Sequence, residues 1–190
     1  MDVAVKRWIG AQELYEDSLR LALMVLDSGF APTLLLGLWR GGSPVAIALH
    51  ETLAYFGVHA EHLPLRTSLY TGIDAREPRL RIHGIEALEA CGFDCRRVLL
   101  VDDVFDTGLT LEQTLDALGA LPATRDSEIR LATVWWKPSR NRTTLKPDYW
   151  LHETAQWLVF PHEMCGLEPV EILQHKPGAE ALAAWLERED

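Results

Sequence analysis

Over residues 11–28 the apolar positions Leu14, Leu21 and Val25, with Tyr15, Leu19, Ala22 and Leu26, recur at helical spacing, and Gly29 supplies a stop. The pattern then changes period. Residues 33–38 (Thr-Leu-Leu-Leu-Gly-Leu) form a short continuous apolar run, the signature of a strand buried on both faces. A glycine loop, Trp39-Arg40-Gly41-Gly42, follows, and Ser43-Pro44 predicts the cap and first turn of a helix that ends near Phe56, before Gly57. The same order returns downstream. Residues 97–102 predict a strand, 103–108 a loop, and Leu111, Leu115 and Leu118 one face of a helix from Leu109 to Gly119, with Pro122 beyond it. Residues 128–136 predict another strand, closed by Lys137-Pro138. Strands alternating with helices imply an α/β fold with a mostly parallel central sheet flanked by helices, in which ligands sit beyond the carboxyl ends of the strands.

Between the two units, residues 66–82 are polar and broken by Gly72 and Pro78, which predicts a long mobile loop able to carry a hairpin and to act as a lid. Residues 156–163 are too apolar for a free loop. Residues 177–189 predict a closing helix that buries Leu182, Trp185 and Leu186. No solenoid repeat or low-complexity tract interrupts the chain.

At 190 residues the chain fits one domain, with room for a small lobe. No apolar run approaches the roughly 18 residues of a membrane span, and the first residues lack a secretory pattern, so a soluble, cytoplasmic protein without a membrane partner is expected. The net charge of −10 argues against a nucleic-acid partner, which needs clustered Lys and Arg. A phosphorylated ligand must therefore be drawn by a local site against the global field. Cys91, Cys95 and Cys165 lack the second ligand pair of a zinc site.

The chemistry concentrates in Val98-Leu99-Leu100-Val101-Asp102-Asp103-Val104-Phe105-Asp106-Thr107-Gly108-Leu109-Thr110. A buried strand delivers two adjacent carboxylates, and a tight turn then places Asp106, Thr107, Gly108 and Thr110 at a helix N-terminus. Backbone N–H groups, hydroxyls and the helix dipole form an anion cradle there. Carboxylates beside a phosphate repel it unless they accept bonds from sugar hydroxyls or hold a divalent cation, and a ribose phosphate with magnesium supplies both. A receiver-type signalling domain also ends a strand in acidic residues, but lacks the Asp-Thr-Gly-x-Thr at this spacing. In the first loop Gly37 and Gly42 have the separation of a Walker loop, yet Ser43-Pro44 stands where Lys-Ser/Thr is required, which disfavours a nucleoside triphosphatase.

The long motif resembles the phosphoribosyl-pyrophosphate motif of the type I phosphoribosyltransferases, and the resemblance runs over residues 33–164. It implies their fold, with a small hood formed by the terminal segments. It also implies that Asp102 and Asp103 bind ribose hydroxyls and influence a Mg2+ cofactor, that Asp106, Thr107, Gly108, Leu109 and Thr110 wrap the 5-phosphate, and that Asp106 is also the catalytic carboxylate near the base. Trp39, Arg40 and Gly41 resemble the pyrophosphate loop, in which the peptide before the basic residue is often cis. Lys137, Trp157, Leu158 and Glu163 resemble the 6-oxopurine branch, particularly its xanthine and guanine enzymes. There a lysine contacts O6, an aromatic residue stacks on the purine, its neighbour offers backbone groups to the ring edge, and an acidic residue approaches the metal. Two departures stand out: Ser68-Leu69-Tyr70 replaces an adjacent Ser-Tyr pair, and position 109 is Leu where some relatives carry Lys or Gly. The implied reaction transfers the phosphoribosyl group to a purine base in salvage, in a homo-oligomer. Two alternatives stay open, another base (uracil, orotate or adenine) and a non-catalytic sensor of the sugar phosphate or a nucleotide.

Overall fold

The computed structural model describes residues 6–70 and 79–186. They form two compact units, one of residues 15–155 and one in which residues up to 14 join those from 156 onward.

The central unit is built on a six-stranded sheet. Its strands are β2 (Leu34–Trp39), β3 (Glu61–Tyr70), β4 (Arg79–His83), β5 (Arg97–Phe105), β6 (Glu128–Trp136) and β7 (Tyr149–Glu153), in the order β4-β3-β2-β5-β6-β7. All neighbours run parallel except β3 and β4. β2 and β5 lie at the centre, with Leu36 in register with Leu63 on one side and Leu100 on the other. Leu34, Leu35, Leu36, Val98, Leu99, Leu100 and Val101 are wholly buried. Such continuous runs are what strands covered on both faces require. Leu34, Leu36, Leu38, Val98 and Leu100 share one core with Leu111 and Leu118 of α4 (Leu109–Ala120) and Leu88 of the short α3 (Ala87–Ala90). The alternate residues face α2 (Gly42–Tyr55), whose Ala46 methyl lies against Gly37. Helix α1 (Ala11–Asp27) buries Leu14, Leu21, Ala22 and Val25 as its period predicts, while Tyr15 is exposed.

Four local expectations are corrected. The strand predicted to end at Asp102 continues to Phe105, because the β5–β6 ladder extends to the Phe105–Trp136 pair. Helix α2 begins at Gly42 with Gly41 at its cap, so Ser43 is not the cap. Pro44 becomes its third residue, where an N–H has no partner within the helix in any case. The region 66–82 is not one long loop but contains the hairpin that the sequence allowed, with β3 and β4 antiparallel from the Arg66–His83 pair to the Tyr70–Arg79 pair. Residues 71–78, where the lid was expected, lie outside the described residues.

The fourth correction concerns the terminal unit. Here β1 (Lys6–Trp8) pairs in parallel with β8 (Trp157–Val159), followed by α5 (Pro169–His175), a 3-10 turn (Ala179–Leu182) and α6 (Ala183–Leu186). The expected closing helix over 177–189 is thus a 3-10 turn leading into one α-turn, and residues 187–189 lie outside the described residues. Leu182 and Trp185 are exposed rather than buried, because a 3-10 turn has three residues per turn and breaks the apolar stripe that an α-helix would align. Trp8 stacks on His175 at 4.2 Å, and Lys6 pairs with Glu171 at 2.5 Å, tying the two chain ends together. Among the described residues no helix is long and apolar enough to cross a membrane.

Candidate active site

The carboxyl ends of β2 and β5 are neighbours, and the loops that leave them converge. The Trp39–Arg40 peptide is cis, as the resemblance implies. Gly41 lies so close to the Asp103 carboxylate that a Cβ there would overlap it, and the carboxylate or the loop would have to shift to admit one. Asp102 and Asp103 are adjacent near the end of β5, and their carboxyl groups interact. Asp102 accepts the Asp103 N–H at 3.0 Å and also a bond from the Gly42 N–H. Burial, and then the neighbouring Asp103, raise the Asp102 carboxyl well above the ordinary aspartate value.

Beyond β5 the chain turns through Gly108, whose φ of 78° is left-handed, and a Cβ there would meet the Phe105 ring and Thr143 Oγ1 at 2.8 Å. Helix α4 starts at Leu109 with no side-chain cap, so its first amides are open to an anion. Asp102, Asp106, Thr107, Gly108 and Thr110 line one small cleft at this turn. Of the sequence-predicted phosphate residues, Asp106, Thr107, Gly108 and Thr110 are therefore brought together, and Leu109, the first residue of α4, is not in the lining. The segment after β6 braces them: Lys137 N–H bonds the Phe105 carbonyl, and Arg142 N–H the Thr107 carbonyl, both at 2.9 Å. Asn141 stiffens this brace, accepting from the Thr143 N–H at 2.9 Å and donating to the Leu145 carbonyl at 2.7 Å.

Lys137, at 5% exposure, donates from Nζ to Asp106 Oδ2 at 3.0 Å. Arg140 donates from Nε to Asp106 Oδ1 at 2.5 Å. Burial by itself raises the Asp106 carboxyl, but the bonds and charges of Arg140 and Lys137 outweigh it and hold the group below its ordinary value. Sequence reasoning missed Arg140; the only trace is its position three residues after Lys137 across Pro138. It also missed a second cleft lined by Trp39, Arg66 and His83, where the β3–β4 register sets a cation opposite an imidazole beside the cis peptide.

In the terminal unit, Trp157 is 56% exposed and offers a ring face, and Leu158 is buried. Glu163 Oε2 accepts the Phe160 N–H at 2.9 Å, closing a turn, and Lys176 donates to the Phe160 carbonyl at 2.5 Å.

Asp102 and Asp103 are hard oxygen donors beside an anion cradle, and among the described residues no cluster of three His, Cys, Asp or Glu side chains could hold a metal alone. This fits a magnesium ion held by one or two carboxylates and completed by substrate phosphates.

A family model described as phosphoribosyl transferase domain matches residues 10–168. No curated protein matches the chain. Among solved structures, a purine phosphoribosyltransferase from Pyrococcus horikoshii is 27% identical, with 85% of this chain and 97% of that one covered at a TM-score of 0.65. A hypothetical protein from Neisseria gonorrhoeae with bound ppGpp is 18% identical, with 97% and 99% covered at 0.71. The xanthine-guanine-hypoxanthine phosphoribosyltransferase of Helicobacter pylori is 22% identical, with 82% and 92% covered at 0.61. The parallel sheet, the cis peptide and the uncapped turn after the paired carboxylates agree with that match, and the chain belongs to the phosphoribosyltransferase family, with the type I fold.

Proposed function

We propose that the protein transfers the 5-phosphoribosyl group of phosphoribosyl pyrophosphate to a 6-oxopurine, releasing pyrophosphate, as a purine-salvage enzyme. The observation that carries this reading is Lys137, a buried cation at the end of β6 that touches Asp106 beside the phosphate turn. A buried ammonium aimed at the place where a base would meet the sugar suits a carbonyl at the purine 6-position and not an amino group. Similarity to the Pyrococcus purine phosphoribosyltransferase supports a purine as the base.

The 5-phosphate sits on the amides and hydroxyls of residues 107–110, which fixes the sugar. Asp102 and Asp103 accept from the ribose hydroxyls, and Arg40 and Gly41 bind the leaving pyrophosphate. Asp102 and Asp103 would hold magnesium, which would supply positive charge to offset that of the departing pyrophosphate. As the bond from the anomeric carbon to pyrophosphate breaks, positive charge grows on the ribose and the purine N9 attacks. Asp106 takes the proton that the purine ring gives up. Trp157, Leu158 and Glu163 of the terminal unit keep the roles that the resemblance implies, a stacking face, backbone contacts to a ring edge and a further carboxylate.

A panel of radiolabelled hypoxanthine, guanine, xanthine, adenine, uracil and orotate, assayed with the donor with and without magnesium, tests this. Magnesium-dependent nucleotide formation confined to the 6-oxopurines is expected. A preference for adenine or a pyrimidine refutes the base class, and donor binding without pyrophosphate release for any base favours a sensor.

A further inference from the structure

Asp106 has two cationic partners, one on each oxygen: Arg140 Nε on Oδ1 at 2.5 Å and Lys137 Nζ on Oδ2 at 3.0 Å. A carboxylate so held is oriented and ionised, but its oxygens are both engaged. The two partners differ in how they are mounted. Lys137 has a buried stem and an ammonium with three donors that can turn toward a new acceptor. Arg140 stands on the 3-10 turn Pro138–Arg140, whose first residue is a proline and whose Arg140 N–H bonds the Lys137 carbonyl at 3.0 Å. Its guanidinium is planar, its side chain is 48% exposed, and its charge stays partly hydrated. Lys137 is thus the partner that can exchange, and Arg140 the one that stays.

We infer that Arg140 is a positioning residue, which keeps Asp106 charged and aimed through Oδ1 when Lys137 turns from Oδ2 to the substrate. This rests on the roles proposed above for Asp106 and Lys137. Other charged groups on the elements around Asp106 are Asp102 and Asp103 on β5, Glu112 in the first turn of α4, and Arg142 on the bracing segment. The three acids disfavour a further negative charge nearby. Of the cations, Lys137 and Arg140 touch the carboxylate, so with Lys137 engaged elsewhere Arg140 is what opposes its protonation.

The test is steady-state kinetics of the full-length protein with its preferred base from pH 5 to 9, for the wild type, Arg140→Met and Arg140→Lys. For Arg140→Met, kcat is expected to fall on the order of 10-fold to 100-fold with KM for both substrates little changed, and the acid limb of the kcat profile to move up by about one pH unit. Arg140→Lys restores most of kcat and returns the limb. A fall in kcat without movement of the limb, or a rise in donor KM at unchanged kcat, overturns the inference. If Arg140→Met does not fold, Arg140→Gln is read in the same way. A wild type that is active on no base refutes the enzymatic reading itself, whereas an active wild type with an unmoved limb refutes only the role of Arg140.

Discussion

A methyl group at position 41 would overlap the Asp103 carboxylate, so the close approach of the first loop to the acidic pair depends on a missing side chain. Gly41→Ala must push one of them aside. A folded protein is expected, judged by circular dichroism, whose kcat/KM for the donor is lower by on the order of 10²-fold, since small displacements at a positioned site cost that much. Lys137 makes the converse case. Because Asp106 keeps Arg140, Lys137→Met leaves no unpaired charge and replaces a buried cation with an apolar chain of similar length. Its Tm is expected to hold or rise. Its preference for 6-oxo over 6-amino purines is expected to drop on the order of 10²-fold in competition assays. The residues of the acidic motif were legible because they are consecutive in sequence, with paired carboxylates at a strand end and Asp-Thr-Gly-x-Thr at a helix start. Arg140 was not, because a surface arginine in a polar stretch has no periodicity, and its role comes from a turn that only the fold creates.

Among the elements, β2, α2, β5, α4 and β6 were legible because buried parallel strands and amphipathic helices leave unmixed periods. The hairpin was only half legible. Its strands alternate Leu65, Thr67 and Leu69 with polar residues, a weaker signal than a continuous apolar run. Strand β3 carries a consequence for acid stability. His62 faces Gly37 and lies 5.4 Å, ring to ring, from His50 of α2. Burial first, and then the His50 charge, push the His62 imidazole below its ordinary value of 6.5. The unfolded chain therefore takes up a proton at that position before the native protein does, and stability is lost as pH falls below about 6.5 until the folded imidazole protonates as well. Thermal melts between pH 7.5 and 5 should show this decline, and His62→Asn should flatten it. An unchanged slope in the variant would assign the decline to other groups.

For the whole molecule, the unit made of both chain ends corresponds to the hood that the resemblance implies, yet it leaves no trace in the periodicity of the chain. β1 and β8 have three residues each and are far apart in sequence, so neither length nor period announces their pairing. Removing residues 1–9 takes away β1, the Trp8–His175 stack and the Lys6–Glu171 pair, and leaves an edge of β8 without its ladder. The central unit keeps its sheet and its phosphate turn. Such a truncation is expected to raise KM for the base about 10-fold or more while donor binding by calorimetry changes little, because the proposed stacking residue Trp157 lies on β8. Equal losses for both substrates would show that the ends support the whole fold.

The double engagement of Asp106 also bears on economy. Phosphoribosyl pyrophosphate is a costly metabolite, and an enzyme that cleaved it with water while waiting for an acceptor would waste it. With Arg140 and Lys137 each holding one of its oxygens, the Asp106 carboxylate has less capacity left to draw a proton from water. On the proposed reading, Lys137 would leave Oδ2 for the base and restore that capacity only when an acceptor is present.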